Sequence, residues 1–135
     1  MSLSMFNATS IPALEQVLNF TEQRHAVLAS NIANLDTPGY RSRDLSVEKF
    51  ESRLKEALDA RQTPVSPGEA GSMAGKVDFS QVRDATKQIL FHDGSDVGLE
   101  HQVTEISKNQ GRYNMALAIM TNQFRLLQAA ISERV

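Results

Sequence analysis

Apolar side chains near the start of the chain recur at alternating spacings of four and three residues. Two rows with a period of seven carry this pattern, one made of Leu14, Thr21, Leu28 and Leu35 and the other of Leu18, His25 and Ile32. Such spacing is typical of a helix that packs lengthwise on another helix. Thr9 or Ser10 can cap its start, Pro12 suits its first turn, and Pro38-Gly39 ends it. The pattern predicts a helix over residues 12–35.

A longer pattern of the same kind fills the last third of the chain. Its rows are Leu99, Ile106, Tyr113, Met120 and Leu127, and Val103, Gln110, Leu117, Phe124 and Ile131. A straight helix over residues 99–131 is about 50 Å long, whereas a compact chain of this size has a radius of gyration of about 14 Å. The two helices can pair as a hairpin, but the second is longer. Part of its apolar stripe must therefore meet another partner or remain in water.

The segment between the two helices is irregular. Apolar spacing predicts a short amphipathic helix over residues 46–61, and alternation predicts two short strands over 77–79 and 88–91. Residues 62–76 contain two prolines and three glycines, as a flexible linker does. The predicted fold class is mainly α, with long terminal helices pairing as a coiled-coil-like hairpin around a small segment with a short helix and a short β-hairpin. The predicted organisation is a disordered start over 1–10, a helix and turn over 11–45, a variable middle over 46–98 and a helix over 99–135.

Composition and charge exclude several functional classes. The 135 residues suit one domain, and 14 basic against 16 acidic side chains give a net charge of −2, which argues against a nucleic-acid partner. The absence of cysteine excludes disulfides, thiolate nucleophiles and zinc sites that need sulfur. No apolar run approaches the roughly 20 residues of a membrane span, and no signal-peptide pattern is present. We expect neither membrane insertion nor a cleaved leader.

Candidate catalytic and metal-binding residues do not converge on a site. Glu22 and His25 have the Glu-x-x-His spacing of carboxylate-bridged di-iron bundles, but the second copy that such a site needs is missing. The glycine-rich segment from Gly71 to Lys76 lacks both the spacing and the final Ser or Thr of a phosphate-binding loop. We therefore expect no enzymatic activity, no metal and no cofactor.

Residues 30–41 are the most specific segment of the sequence. They read Ser-Asn-Ile-Ala-Asn-Leu-Asp-Thr-Pro-Gly-Tyr-Arg and close the first predicted helix. Asn34 and Asp36 can bond nearby backbone, Gly39 permits a reversal, and Tyr40 offers a flat anchor with a polar tip. The segment closely resembles the Asn-x-x-Asn-x-x-Thr-x-Gly-Tyr signature of bacterial flagellar axial proteins. The matching residues are Asn31, Ala33, Asn34, Thr37, Pro38, Gly39 and Tyr40.

The C-terminal part narrows this resemblance to the flagellar basal-body rod protein family. Residues 93–100, 108–113 and 123–131 are similar to the small proximal rod proteins, and the short middle segment agrees with them. The resemblance covers about residues 10–45 and 93–132. Gly98 and Gly111 depart from the family pattern, and both loosen the predicted C-terminal helix.

The resemblance implies a structural subunit that leaves the cell through the flagellar type III export channel and polymerises into the rod across the periplasm. Its implied partners are copies of itself, other rod subunits, the basal-body junction protein and the export apparatus. Under this hypothesis the helix seams carry subunit packing, through Leu14, Leu18, Leu28, Ile32, Val103, Ile106, Tyr113, Leu117, Met120, Phe124, Leu127 and Ile131. The alternative is a small cytosolic helical adaptor or chaperone that binds a partner helix in a groove.

Overall fold

The computed structural model of the chain describes residues 9–62, 90–92 and 98–133. This part of the chain forms α1 (Ile11–Ala33), β1 (Arg43–Leu45), α2 (Val47–Gln62), β2 (Leu90–His92) and α3 (Leu99–Ser132). None of these helices has the length and apolar character needed to cross a membrane. The three predicted helices are confirmed, with boundaries within two residues of those expected from the apolar spacing.

Helices α1 and α3 pack against each other as an antiparallel hairpin, which confirms the predicted fold class. Pro12 lies in the first turn of α1 as expected. The Thr9 hydroxyl accepts a hydrogen bond from the Ile11 amide at 3.3 Å, whereas Ser10 makes no side-chain cap. With 34 residues, α3 is about 51 Å long and α1 about 34 Å. One helix is therefore longer than its partner by several turns.

Helix α2 covers another face of α1 and builds a small apolar core. The rings of Phe20 and Phe50 stack with centroids 4.1 Å apart and planes only 9° from parallel. Leu45 of β1 completes this buried cluster. Half-buried apolar side chains surround it, namely Val17, Val27, Val47, Leu54 and Ala57. Helix α1 is thus held from two sides, by this apolar core and by α3.

The two strands form an antiparallel pair in which Arg43 lies opposite His92 and Leu45 opposite Leu90. Strand β2 overlaps the predicted strand at 88–91, but its partner is β1, which the apolar alternation did not predict. A three-residue strand directly after a turn carries too little alternation to be recognised from the sequence. The other predicted strand, at 77–79, lies outside the described residues, as do residues 1–8 of the predicted disordered start and the linker from residue 63 onward.

Candidate functional site

The signature segment forms a closed turn at the end of α1. The Asn34 side chain donates from Nδ2 to the Ser30 carbonyl at 2.8 Å. Backbone hydrogen bonds then run from the Thr37 amide to the Asn34 carbonyl at 3.0 Å and from the Tyr40 amide to the Thr37 carbonyl at 3.2 Å. Gly39 has a φ of +76°, in the left-handed region that favours glycine. These bonds fix the direction in which the chain leaves the helix.

Asn31 lies at the centre of this turn and is only 1% exposed. Its Nδ2 donates to the Arg43 carbonyl at 2.6 Å and to Gln102 Oε1 at 3.2 Å. Its Oδ1 accepts from the Tyr40 hydroxyl and from the Arg43 amide, both at 3.0 Å. One side chain therefore joins α1, the turn, β1 and α3.

The amide of Asn31 also protects the free edge of β1. Both backbone groups of Arg43 bond to Asn31, so they point away from β2. The Leu45 amide, on the same edge, donates to the Asp44 carboxylate at 2.7 Å. An unpaired strand edge is a template for pairing with other chains. Here two polar side chains occupy that edge instead.

Arg24 forms a second connection between α1, β1 and α3. Its Nε and Nη2 donate to both oxygens of Asp44 at 2.8 and 2.7 Å, and Nη2 also reaches Glu105 Oε2 at 2.8 Å. Burial acts against the charged guanidinium, but the two carboxylates outweigh it and raise the pKa of Arg24. Two hydrogen bonds lower the pKa of Glu105, the larger effect coming from the one that Lys108 donates and the next from the one that Arg24 donates. Burial raises this pKa, but by less.

Asn109 provides a third polar contact between α1 and α3. Its Nδ2 donates to the Thr21 carbonyl at 2.7 Å, and the residue is 1% exposed. Its buried Oδ1 accepts no hydrogen bond from the described residues. Buried polar groups at helix interfaces fix register at some cost in stability. The hairpin is therefore aligned by polar contacts in its half nearest the turn.

Most buried polar side chains of the hairpin are paired with one another, Asn109 Oδ1 being the exception in the part of the chain that the structure describes. A cleft of about 370 Å³ opens beside Arg24, Asp44 and Glu105, and its rim includes His101 and Arg112. Within the described residues no three His, Asp or Glu side chains are grouped closely enough to hold a metal. Paired, buried charges of this kind position the elements that carry them. These contacts fix the position of α3 relative to α1 and β1.

The predicted assembly seam divides into covered and uncovered residues. Leu28 is buried in the hairpin, and the half-buried residues are Leu14, Leu18, Ile32, Ile106, Tyr113, Met120 and Leu127. The exposed members are Val103 at 46%, Leu117 at 43%, Phe124 at 46% and Ile131 at 68%. On α3 the hairpin buries a neighbouring row instead, made of Gln102, Asn109 and Ala116. The outer apolar row of α3 thus faces solvent along its whole length.

The apolar pattern of the sequence does not single out Arg24, Asp44, Gln102, Glu105 and Asn109, because each of them is polar. Gln102, Asn109 and Ala116 do share a period of seven, the one signal that could have found them. Asp36 was expected to bond the turn backbone, but the observed bonds come from Asn31 and Asn34. Tyr40 uses its polar tip as expected.

Two of the three glycines in the described residues, Gly39 and Gly111, are expected to have opposite effects on stability. Alanine at Gly39 must adopt a φ of +76°, so Gly39→Ala lowers the free energy of unfolding by about 1–2 kcal/mol. Gly111 lies within α3 with open space around it, so Gly111→Ala raises that free energy by about 0.5–1 kcal/mol. Urea unfolding followed by circular dichroism at 222 nm measures both. Shifts of the same sign contradict the assigned backbone geometry.

Glu105 makes the hairpin sensitive to acid. Because its pKa is lowered by folding, its contribution to stability is complete above the ordinary value of 4.5 and is lost as the pH falls through the folded-state value. We expect the urea midpoint to drop as the pH falls below 4.5, a range below ordinary histidine titration. Glu105→Gln should reduce this drop, whereas Glu15→Gln, at an exposed position, should keep it. An equal drop of the urea midpoint in the unmodified chain and in both variants contradicts the assignment of this acid sensitivity to Glu105.

The comparison with protein families agrees with the position of the signature turn. The family model described as flagella basal body rod protein matches residues 18–41. This range covers α1 from Leu18 onward, which includes Arg24 and Asn31, and the turn up to Tyr40. The match therefore includes the α1 residues that contact β1 and α3 and the residues of the turn, whereas their partners on α3 lie outside it.

Several proteins named flagellar basal body rod protein FlgB are similar in sequence to this chain over most of its length. The flagellar basal body rod protein FlgB of Cereibacter sphaeroides is 31% identical over 116 residues, which are 86% of this chain and 88% of the relative. The FlgB of Salmonella typhimurium is 29% identical over 82% of this chain and 84% of its own length. The FlgB of Bacillus subtilis is 25% identical over 96% and 98%. The chain therefore belongs to the FlgB family of flagellar basal body rod proteins.

Proposed function

We propose that this chain is a non-catalytic structural subunit that polymerises through its terminal helices into the proximal part of the flagellar rod, the drive shaft that crosses the periplasm. The observation that carries the proposal is the uncovered apolar row of α3. Its residues Val103, Leu117, Phe124 and Ile131 are 43–68% exposed, although the hairpin is fully formed. A helix with an apolar row along its length needs a further partner.

The polar contacts that hold α1 and α3 together support a role of the exposed apolar row of α3 in assembly. The half of the hairpin nearest the turn is held by Asn31, Arg24 and Asn109 through polar contacts. Such contacts specify register but add less stability than apolar burial. Much of the apolar surface of α3 is thus left for association, which the hydrophobic effect drives in proportion to the area removed from water.

We extend the proposal to partners and location. The chain would associate with copies of itself, other rod subunits and the basal-body junction protein, after export through the flagellar type III apparatus without a cleaved signal peptide. The relatives are flagellar basal body rod proteins by name, which supports placement in the rod of the basal body. The signature residues Asn31, Asn34, Gly39 and Tyr40 would set the angle between the helices in each subunit, a role supported by their bonds in the turn.

Deletion of the gene tests this proposal most directly. We expect non-motile cells whose isolated basal bodies show membrane rings without a rod in electron micrographs, and recovery of both rod and swimming with the intact gene. Deleted cells that swim and hold complete basal bodies would contradict the proposal. A cytosolic partner recovered together with the chain, from cells that express it and in a complex of fixed size, would then favour a helical adaptor.

A further inference from the structure

A further cavity lies between α1 and α3, and it shares no lining residue with the cleft beside Arg24. Its volume is about 190 Å³, well above the about 10–15 Å³ that one water molecule needs. We call it the Glu22 cavity. Both members of the Glu-x-x-His pair of the sequence line it, and neither side chain takes part in the contacts that hold the hairpin. The lining residues are Thr21, Glu22 and His25 of α1 and Asn109, Gln110 and Tyr113 of α3.

The floor of the Glu22 cavity contains a hydrogen-bond acceptor that has no donor. Thr21 and Asn109 are 2% and 1% exposed and form this floor, whereas the exposed Glu22, His25 and Gln110 form the rim. Asn109 Nδ2 donates to the Thr21 carbonyl at 2.7 Å, and Oδ1 of the same amide accepts nothing from the described residues. A buried polar atom without a partner is destabilising. A donor that enters the cavity would satisfy it.

The charge of the lining favours a cation. Glu22 is the one acidic residue that lines the cavity, and no lysine or arginine lines it. Within the described part of the chain, its carboxylate takes part in no ion pair. An anion would be repelled by this carboxylate and by the oxygen of Asn109. A group that is positively charged and donates hydrogen bonds would find a partner at both the rim and the floor.

Two further lining residues favour a guanidinium over a compact ammonium. Tyr113 is half-buried, and a guanidinium both stacks on aromatic rings and donates from five N–H groups in one plane. Gln110 donates from Nε2 to Asn114 at 3.1 Å, which leaves its Oε1 to accept a further hydrogen bond. The cavity therefore offers an aromatic ring together with acceptor oxygens on Glu22, Asn109 and Gln110.

We infer that the Glu22 cavity binds the guanidinium group of an arginine side chain that a partner protein presents. The guanidinium donates to the Glu22 carboxylate at the rim and to Asn109 Oδ1 at the floor, and it lies against the ring of Tyr113. The cavity is formed within one chain, so this inference stands apart from the proposed function. It adds the chemistry of a partner and the place on the hairpin where that partner binds.

Titration of the isotope-labelled full chain with acetyl-arginine amide tests the inference. The guanidinium is the only charge of this probe, because both of its ends are blocked. In amide NMR spectra we expect the signals of Glu22, Gln110, Tyr113 and the Asn109 side chain to shift and to saturate in the millimolar range. Glu22→Gln should weaken binding about tenfold or more, since hydrogen bonds to charged groups are the stronger ones.

Glu15→Gln is the matched control for Glu22→Gln. Glu15 is also exposed and lies seven residues earlier on the same face of α1, outside the cavity. This variant should change the affinity by less than about twofold, because a distant exposed charge contributes little. Both substitutions are at exposed positions, so both variants keep the fold. Equal weakening by the two variants would show a diffuse attraction to the acidic chain and would overturn the inference.

Two further probes test the chemistry of the ligand. The neutral isostere acetyl-citrulline amide should cause no shifts, and acetyl-lysine amide should bind more weakly than the arginine probe. Equal shifts with the citrulline probe would show that the cavity does not select a cation. Equal affinity for the lysine probe would overturn the assignment to a guanidinium, and unchanged lining signals with the arginine probe would overturn the site itself. None of these results alters the outcome of the gene deletion, so this inference and the proposed function fail separately.

Discussion

Replacing Arg24 by methionine should lower the free energy of unfolding by about 2–4 kcal/mol, one of the largest stability effects expected of a single side chain here. Methionine retains most of the apolar stem but leaves Asp44 and Glu105 facing each other without the cation that they share. The Arg24 side chain is 5% exposed and the carboxylates of Asp44 and Glu105 are 22% and 17% exposed, so water replaces the lost cation only in part. Urea unfolding measured by circular dichroism gives the change directly.

A matched control is the same substitution at an exposed arginine. Arg53 Nη1 lies 3.6 Å from Glu56 Oε2, and both side chains are more than 60% exposed. Exposed pairs contribute little, so Arg53→Met should change the free energy by less than about 0.5 kcal/mol. Adding Glu105→Gln to Arg24→Met should recover part of the loss, because it removes one unpaired charge. Equal effects at Arg24 and Arg53 would show that this cluster does not hold the hairpin together.

The long helices could be predicted from the sequence because their apolar residues repeat over many turns. A repeat carried by residues such as Leu14, Leu28, Ile106 and Leu127 identifies both helix type and boundaries, since each turn adds evidence. The Pro38-Gly39 step located the end of the first helix for a local reason, the backbone preferences of these two residues. Neither signal depends on knowing the tertiary structure.

The side of α3 that faces α1 could not be predicted in the same way. Apolar residues predict burial, and they predicted a seam through Val103, Leu117 and Phe124, which the structure leaves exposed. The row that is buried contains Gln102 and Asn109, whose burial depends on partners far along the chain, Asn31 and Thr21. A single sequence does not show which polar side chains find such partners.

Because the buried row of α3 is largely polar and the apolar row is exposed, the contacts between the helices depend on the identity of particular side chains, including Asn31 of the signature. An interface made of hydrogen bonds requires particular atoms at particular positions, so Asn31 can serve α1, β1 and α3 together only with its own amide geometry. An apolar interface tolerates many side chains of similar volume. Asn31 of this segment is therefore one of the residues that fix the hairpin through polar contacts, together with Arg24 and Asn109 outside it.

The double substitution Leu117→Asp plus Phe124→Asp should abolish rod assembly while the free chain stays helical and is still secreted. Both side chains are nearly half exposed in the free hairpin, at 43% and 46%, so two carboxylates there remain hydrated and the fold tolerates them. At a packed interface between subunits the same carboxylates would be buried without partners, at a cost of several kcal/mol. Swimming in soft agar should fall to the level of the deletion strain.

The matched control is Ala118→Asp plus Ala129→Asp, which adds the same charge at exposed positions on the far face of α3. It should leave swimming intact, since most neighbours of the two alanines one turn away on α3 are exposed and polar, namely Asn114, Thr121, Asn122, Arg125, Ser132 and Glu133. Circular dichroism of the purified chains distinguishes the mechanisms, because loss of helix in the first variant would assign Leu117 and Phe124 to the core of the single chain. Normal swimming with that variant would contradict their role in subunit packing. Loss of swimming with full helicity and normal secretion is the one outcome that places both side chains between subunits.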